Sequence, residues 1–361
     1  MFFFREYYGK VLSSSDSLAT NACTTSAAPS DVIKSCIKNV SPEVISKYYG
    51  CGICIPDVLK NQKVVDLGSG SGRDVYVISQ LTGKKGKVVG VDMTREQLDV
   101  AIAANTFHQD KAKEKGLDVS PVDFVEGYIE DFNKLLPSDM KDGQTDIVVS
   151  NCVINLSPDK EAVLRDAYKC LKVGGEIYFS DVYADRRVGK ELREDKQLWG
   201  ECISGALYWN DFVNLAKKCG FGDPRLVEDS RITIKNKALE AKCGNVNFYS
   251  ATYRLFKLPD LESDCEDYGQ AVVYKGTIDT APHSFKLDAH HDIEKGRIFP
   301  VCGNTWKMLK DTRFSSHFDF IGNFDKHYGI FDGCGKTVPF ASESEVAGSG
   351  SGSSSGGGGC C

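Results

Sequence analysis

One stretch of the chain constrains its fold more than any other, Lys63-Val-Val-Asp-Leu-Gly-Ser-Gly-Ser-Gly-Arg-Asp74. Residues 64–67 have the pattern of a short buried strand, and three alternating glycines permit a sharp turn that approaches a ligand closely. A helix-like run over 74–81 follows at once, so its N-terminal N–H groups can face an anionic group. Strand, glycine turn and helix in this order predict a nucleotide-type α/β domain.

The spacing of the glycines narrows the kind of ligand. The next predicted strand, 87–92, ends in Asp92, 24 residues after Gly68, where an acid suits the hydroxyls of a ribose. The pattern is G-x-G-x-G, which differs from the G-x-G-x-x-G of dinucleotide enzymes, and no G-K-[ST] follows. Asp66, two residues before the first glycine, is also absent from the dinucleotide fingerprint. The spacing therefore disfavours an NAD-dependent oxidoreductase and a P-loop enzyme.

Strands and helices alternate from residue 63 to 183, which predicts βαβ units and a parallel sheet. Further strands are predicted over 122–126, 145–155 and 176–182, and a helix over 160–171. Thr94 and Gln97 have the spacing of a capping box that opens a helix over 96–107. Strand-like pieces over 231–234 and 247–257 follow, then a linker over 259–267.

Composition excludes several classes of partner. The net charge of −6 argues against binding to nucleic acid or an anionic membrane, because both need a basic face. No apolar run approaches the roughly 18 residues that a membrane span needs. The opening Met-Phe-Phe-Phe is interrupted by Arg5, so it is too short for a signal peptide. We therefore expect a cytosolic protein. We also expect a monomer.

Cysteine is unusually frequent, with 14 in 361 residues. A cytosolic compartment disfavours structural disulfides, and many free cysteines are simply small buried hydrophobes. Cys51-Gly-Ile-Cys54 is the only C-x-x-C pair, so the spacing of zinc fingers is absent. This pair could be a local redox unit, although it precedes the first strand, unlike a thioredoxin motif.

Ligands of open α/β sheets bind beyond the carboxyl ends of the strands. That rule selects the glycine loop, Asp92, Ile129-Glu130 and Asn151-Cys152. Cys51 and Cys202 each lie in a loop of their own that carries glycine and aromatic residues. With Cys152 they would form a soft ligand set for a metal or metalloid, although a space-filling role for the thiols stays open.

Five motifs carry a resemblance to one family. They are Tyr48-Tyr-Gly-Cys-Gly, Asp66-Leu-Gly-Ser-Gly-Ser-Gly-Arg-Asp, Val91-Asp-Met-Thr, Ser150-Asn-Cys-Val-Ile-Asn-Leu and Trp199-Gly-Glu-Cys-Ile-Ser-Gly-Ala-Leu-Tyr. Together they resemble arsenite methyltransferases, the S-adenosylmethionine enzymes of arsenic detoxification. The resemblance runs from about Tyr7 to Phe256 and thins beyond.

The resemblance implies a site for trivalent arsenic. The thiolates of Cys51, Cys152 and Cys202 would hold an arsenic(III)-thiol substrate, and Cys23 would be a fourth, redox-active cysteine. The arsenic lone pair would attack the sulfonium methyl group, so no general base is expected. A Cys23–Cys51 disulfide would return arsenic to the trivalent state, and thioredoxin or glutathione would reduce it.

The resemblance also implies which residues bind S-adenosylmethionine. Gly68, Ser69 and Gly70 would face the methionine moiety and Asp92 the ribose, with Met93, Ile129 and Glu130 near the adenine, Tyr49 near the sulfonium, and Asn151 at the end of its strand. Two alternatives stay open: Tyr49 as a core aromatic residue, and Glu130 as a solvated loop acid.

The predicted fold class is a Rossmann-like class I methyltransferase sheet with helices on both faces, a small α+β substrate-binding domain and a C-terminal domain. The predicted division of the chain is an N-terminal arm over 1–44, an S-adenosylmethionine domain over 45–184, an arsenic-binding domain over 185–258, a C-terminal domain over 259–346, and a Gly/Ser tail over 347–361. The tail ends in Cys360-Cys361, which either captures arsenic or is incidental.

Two other functions remain in view. The first is a methyltransferase of a small organic acceptor whose cysteines are structural. The second is a thiol-based metal-binding protein with a relic cofactor fold, which gives no reason for an intact glycine loop followed by Asp92.

Overall fold

The computed structural model of the protein describes residues 29–48, 52–195, 198 and 202–334. These residues belong to two compact units. The first extends to Pro259 and includes Ile278–Ala281, and the second contains Asp260–Thr277 and the residues from Pro282 onward.

The first unit is built on a sheet of eight strands. They are β1 Lys63–Leu67, β2 Lys87–Asp92, β3 Val122–Glu126, β4 Thr145–Asn151, β5 Leu171–Ala184, β6 Leu207–Tyr208, β7 Arg225–Arg231 and β8 Phe248–Phe256. The order is β3-β2-β1-β4-β5-β8-β7, and β6 pairs with β5. Strands β1 to β5 are parallel, whereas β8 is antiparallel to both of its neighbours. The order reverses between β1 and β4, which is where such sheets bind ligands.

Helices accompany this sheet. They are α1 Asp31–Ile37, α2 Pro42–Ser46, α3 Arg73–Thr82, α4 Arg95–Ala103, α5 Asn105–Lys115, α6 Lys160–Cys170, α7 Lys190–Arg193, α8 Trp209–Lys218 and α9 Lys237–Cys243, with 3-10 turns at Ile129–Leu135 and Ile154–Leu156.

Neighbouring residues of one strand enter different hydrophobic clusters, so both faces of the sheet are covered. Val64 packs with Val75 and Ile78 of α3, whereas Val65 packs with Val163 and Leu164 of α6. All six side chains are essentially fully buried, as expected of parallel strands between two layers of helices. The predicted α/β architecture is confirmed.

Three local predictions differ from the structure. The helix predicted over 96–107 is divided at Ala104, and the Thr94 side chain makes no capping bond. The strand predicted over 145–155 ends at Asn151, because Cys152 adopts a left-handed conformation with φ +56°. A strand was predicted over 231–234, but the observed strand, β7, spans Arg225–Arg231 and so ends at the residue where the prediction began.

The second unit has its own strands and core. Its elements are β9 Glu266–Asp267, β10 Gln270–Tyr274, β11 Ser284–Asp288, β12 His291–Glu294, β13 Ile298–Val301, α10 Gly303–Lys310, β14 Phe318–Ile321 and β15 Gly329–Ile330, with a 3-10 turn at Ser315–His317. Strand β10 pairs with β13 and β14, β11 with β12, and β9 with β15. Tyr274, Phe285, Phe314 and Phe318 form an aromatic core.

Residues 185–258, predicted as an arsenic-binding domain, contribute β6, β7 and β8 to the first sheet, and their separate role stays a prediction. Within the described ranges, no helix is both long and apolar enough to cross a membrane.

Candidate functional site

The glycine loop lies across the ends of β1 and β2. Gly68, Gly70 and Gly72 have φ of +74°, +52° and +88°, a region that glycine adopts without steric cost. The N–H groups of Gly68 and Ser69 both donate to the carbonyl of Val91, at 2.8 and 3.1 Å. These bonds hold the loop at the carboxyl edge of the sheet, where the sequence predicted a cofactor.

Asp92 connects the glycine loop to the start of α4. Its Oδ2 accepts the Gly70 N–H at 2.9 Å and its Oδ1 accepts the Thr94 N–H at 2.8 Å. Burial raises the pKa of this carboxyl, and the donated N–H groups oppose the rise. Each carboxylate oxygen keeps a lone pair beyond its backbone bond, so the group can still accept from a ribose diol.

Buried polar atoms without partners test whether a polar ligand fits here. Ser69 Oγ, Gln97 Oε1 and Asn151 Oδ1 are buried and have no hydrogen-bond partner. Gln97 Oε1 lies 4.0 Å from where a Cβ on Gly70 would be. An unsatisfied buried polar atom typically costs about 1–3 kcal/mol, so unpaired atoms on the loop and on its neighbours are consistent with a bound polar cofactor.

The predicted adenine side lies beside Asp92. The Gly127 N–H donates to the Asp92 carbonyl at 2.9 Å, which brings the 127–130 turn to the end of β2. Ile129 is buried and Met93 is half-buried. Glu130 Oε1 accepts a hydrogen bond from the Ser157 hydroxyl at 2.5 Å. This contact disfavours the alternative that Glu130 is a solvated loop acid.

Tyr48 connects the Cys51 segment to the end of β4, a role that the sequence did not indicate. Its hydroxyl accepts from Asn151 Nδ2 at 3.0 Å and donates to the Gly52 carbonyl at 3.1 Å. The Arg73 guanidinium lies 3.4 Å from the centre of the Tyr48 ring and also donates to Gly52. These contacts hold Gly52, the neighbour of Cys51, near the end of β4. Tyr48 and Asn151 both occur in the motifs quoted above, but only the fold brings their side chains together.

Two of the predicted arsenic ligands meet at the end of β4. Cys152 and Cys202 have φ of +56° and +62°, and both are buried. The Cys202 thiol donates to the Cys152 carbonyl at 3.3 Å. The Cys152 N–H donates to the Ser180 carbonyl of β5 at 2.8 Å. The structure therefore brings together two cysteines that are 50 residues apart in the sequence.

The redox state of these cysteines differs. Cys152 is disulfide-bonded, whereas the other cysteines of the described residues, Cys202 among them, form no disulfide. Cys23, Tyr49 and Cys51 lie outside the described residues, as does the Cys360-Cys361 pair. Within the described part of the chain, no three His, Cys, Asp or Glu side chains converge as a metal site.

Cys54, the other half of the C-x-x-C pair, has a different environment. It is 2% exposed, and its Sγ lies 3.8 Å from the Tyr178 carbonyl. Burial, followed by the charges of Asp74 and Asp66, raises the pKa of this thiol well above its usual range. A thiol that stays protonated is a poor redox nucleophile, so these contacts favour a packing role.

Asp181 is a buried acid that no motif indicated. Its carboxylate accepts the N–H groups of Asn155 at 2.8 Å and of Val182 at 2.9 Å. Burial raises its pKa to about 6. It anchors the turn that follows Cys152, and nothing in the sequence pattern marks a contact across 26 residues.

Comparison with known proteins agrees with this geometry. The family model described as a methyltransferase domain matches residues 59–220, and the model described as an arsenite methyltransferase C-terminal domain matches residues 268–361. The likeness therefore continues beyond Phe256, where the motifs alone had suggested that it thins.

Relatives cover nearly the whole chain. The arsenite methyltransferase of Aquipseudomonas alcaligenes is 56% identical over 95% of this chain and 96% of its own length. The human arsenite methyltransferase is 47% identical over 86% of this chain and 81% of its own. An arsenic(III) S-adenosylmethionine methyltransferase from Chlamydomonas reinhardtii has a structure with a TM-score of 0.78 and 45% identity, covering 84% of this chain and all of that one. The predicted class I methyltransferase fold is thus confirmed, and the chain belongs to the arsenite methyltransferase family.

Proposed function

We propose that this protein transfers a methyl group from S-adenosylmethionine to thiolate-bound trivalent arsenic. The observation that carries the proposal is the meeting of Cys152 and Cys202 at the end of β4, with Cys202 Sγ 3.3 Å from the Cys152 carbonyl. A metalloid site needs soft ligands, and this pair lies at the sheet edge that also carries the glycine loop. Family membership supports the same substrate.

The protein's own residues bind and orient the reactants. Cys152 and Cys202, with Cys51 as the third ligand, hold arsenic(III). S-adenosylmethionine, when bound, would supply an electrophilic methyl group to the lone pair of trivalent arsenic, and arsenic has no proton to lose in this step. Catalysis is then mainly a matter of positioning, which agrees with a site built from backbone turns and thiols.

The cofactor residues follow the sequence prediction. The proposal assigns Gly68, Ser69 and Gly70 to the methionine moiety, and the Asp92 carboxylate to the ribose. Met93, Ile129 and Glu130 are assigned to the adenine side, and Tyr49 and Asn151 to the sulfonium side. The unpartnered Ser69 Oγ and Asn151 Oδ1 support a polar ligand at this position.

A thiol reductant belongs to the proposal. Methyl transfer to the lone pair formally oxidises arsenic by two electrons. Two thiols can reduce arsenic again, because forming a disulfide releases two electrons together with two protons. We assign this step to Cys23 and Cys51. Thioredoxin or glutathione would then reduce the disulfide by exchange. Cys152, which is disulfide-bonded here, needs the same reduction before it can bind arsenic, and a cytosolic location would supply it.

The test compares single cysteine variants of the full chain, reduced before use. Arsenite and S-adenosylmethionine are supplied, and methylated arsenicals and S-adenosylhomocysteine are quantified by chromatography. Cys152→Ser and Cys202→Ser should each lose methylation, while S-adenosylmethionine still binds by calorimetry. Cys243→Ser is the matched control, because Cys243 is a buried free thiol in the same hydrophobic cluster. Full activity of Cys152→Ser would instead support an organic-acceptor methyltransferase with structural cysteines.

A further inference from the structure

Lys160, the first residue of α6, places its ammonium among main-chain carbonyls. Its Nζ donates to the Asn155 carbonyl at 3.1 Å and to the Ser157 carbonyl at 3.0 Å. The side chain is half-buried. Burial lowers the pKa of the amine, against the opposing influence of Asp181, Cys202 and Glu130. These three residues belong to the walls of the proposed site, although Lys160 has no role in the mechanism above.

The Asn155 carbonyl needs a side-chain donor because the chain around it cannot supply one. The residue three positions on is Pro158, which has no N–H. The following N–H, of Asp159, donates to the Ser157 hydroxyl at 3.1 Å. Gly205 also lies so close to the carbonyl that a Cβ there would be 2.0 Å from the oxygen. A buried acceptor left unpaired costs free energy, and the Lys160 ammonium satisfies it.

The turn that Lys160 holds contacts three neighbouring parts of the protein, at Asp181, Glu130 and Gly205. The Asn155 N–H donates to Asp181 Oδ2, and the Ser157 hydroxyl donates to Glu130 on the cofactor side. Gly205, three residues after Cys202, packs against the Asn155 carbonyl. The turn itself begins three residues after Cys152. Its conformation therefore determines how the two cysteine segments lie against each other.

We propose that Lys160 is a positioning residue of the arsenic site, which clamps the 155–157 turn and so maintains the spacing of Cys152 and Cys202. The inference rests on the proposed function, since it concerns how that site is held for arsenic. The clamped turn follows Cys152 closely in the chain and packs against Gly205, and it reaches the cofactor side through the hydrogen bond from Ser157 to Glu130, so loss of the clamp should affect the arsenical more than the cofactor.

The test uses the full-length, reduced protein and two substitutions, Lys160→Met and Lys160→Arg. Lys169→Met is the matched control, because Lys169 is on the same helix, and its ammonium forms an exposed ion pair with Asp142 at 3.0 Å. The readouts are the KM for arsenite and kcat, the Kd of phenylarsine oxide by intrinsic fluorescence, the Kd of S-adenosylmethionine by calorimetry, and the urea midpoint.

Lys160→Met removes a charged donor from two carbonyls, so its arsenite KM and phenylarsine oxide Kd should rise by about tenfold or more. Its Kd for S-adenosylmethionine should change by less than about threefold. Lys160→Arg, which can donate to both carbonyls, should restore most of the affinity, and Lys169→Met should behave as wild type. Wild-type arsenical affinity in Lys160→Met would overturn the inference, and so would an equal loss of both affinities without rescue by arginine. A wild-type protein that does not methylate arsenite would instead overturn the proposed function on which the inference rests.

Discussion

Replacing Gly68 with alanine should damage the junction between the glycine loop and the proposed arsenic site. Gly68 has φ +74°, and a Cβ there would lie 2.3 Å from Val153 Cγ2 and 2.8 Å from both Val153 Cβ and Cγ1. Because Val153 Cβ is itself within reach, no rotation of the valine side chain relieves the contact. The left-handed conformation costs roughly 1–2 kcal/mol for a residue with a Cβ, and overpacking adds about 1–3 kcal/mol. The expected loss of unfolding free energy is therefore about 2–5 kcal/mol.

A matched control separates the two contributions. Gly116 also has a left-handed φ, +61°, but nothing lies within 4 Å of a Cβ built on it. Gly116→Ala should therefore lose only the conformational part, about 1–2 kcal/mol. In the double variant Gly68→Ala/Val153→Ala the contacts with Cγ1 and Cγ2 are absent and the 2.8 Å contact with Cβ remains, so a double-mutant cycle should return a favourable coupling energy of about 1–3 kcal/mol.

The assay is urea unfolding followed by circular dichroism, with arsenite methylation measured on the same samples. Because Val153 directly follows Cys152, Gly68→Ala should also lose activity, and removal of the valine side chain should restore part of it. The reasoning is refuted if Gly68→Ala is no less stable than Gly116→Ala, or if the double-mutant cycle shows no coupling.

Other predictions follow from buried charges. Glu176→Gln should lower the free energy of unfolding by about 3–5 kcal/mol in urea melts, because it leaves buried Arg254 without the carboxylate that now lies 3.0 Å away. Burial lowers the pKa of His108 to about 4, so the unfolded chain binds the extra proton between about pH 4 and 6.5. Stability should fall as the pH drops through that window, by about 2 kcal/mol after screening, and His108→Gln should remove this dependence in melts at several pH values. Asp92→Asn, which turns an amide toward the N–H of Gly70, should raise the Kd of S-adenosylmethionine about tenfold in calorimetry.

Local rules predicted the elements around the cofactor loop well. The bounds of β2 and β3 match the structure. For β2 the reason is a buried β-branched run between polar ends, which leaves little ambiguity, whereas β3 is only partly buried. The predicted capping box of Thr94 and Gln97 was wrong, because the sequence pattern does not show which other groups compete for these side chains. The Thr94 side chain hydrogen-bonds the Asp92 carboxyl instead, and Gln97 Oε1 is left without a partner.

Contacts between distant segments could not be predicted in the same way. Tyr48 meets Asn151, and Lys160 faces the Cys202 segment, only because the sheet order brings these segments together. The spacing of Cys51 and Cys54 suggested a redox pair, but the environment of Cys54 depends on burial beneath β5. Sequence motifs thus indicated the reactive groups, whereas the residues that hold them in place required the fold.

The backbone at Cys152 and Cys202 gives a separate argument that these positions serve chemistry. Both have left-handed φ values, +56° and +62°, which cost a residue with a side chain about 1–2 kcal/mol each, and glycine would avoid that cost. Contacts hold the strained turns in place, since Ser180 accepts the Cys152 N–H and the Cys152 carbonyl accepts the Cys202 thiol. Stability alone would favour glycine at each turn. The presence of cysteine at both, where the parallel strands end, is therefore better explained by what the two thiols bind than by what they stabilise.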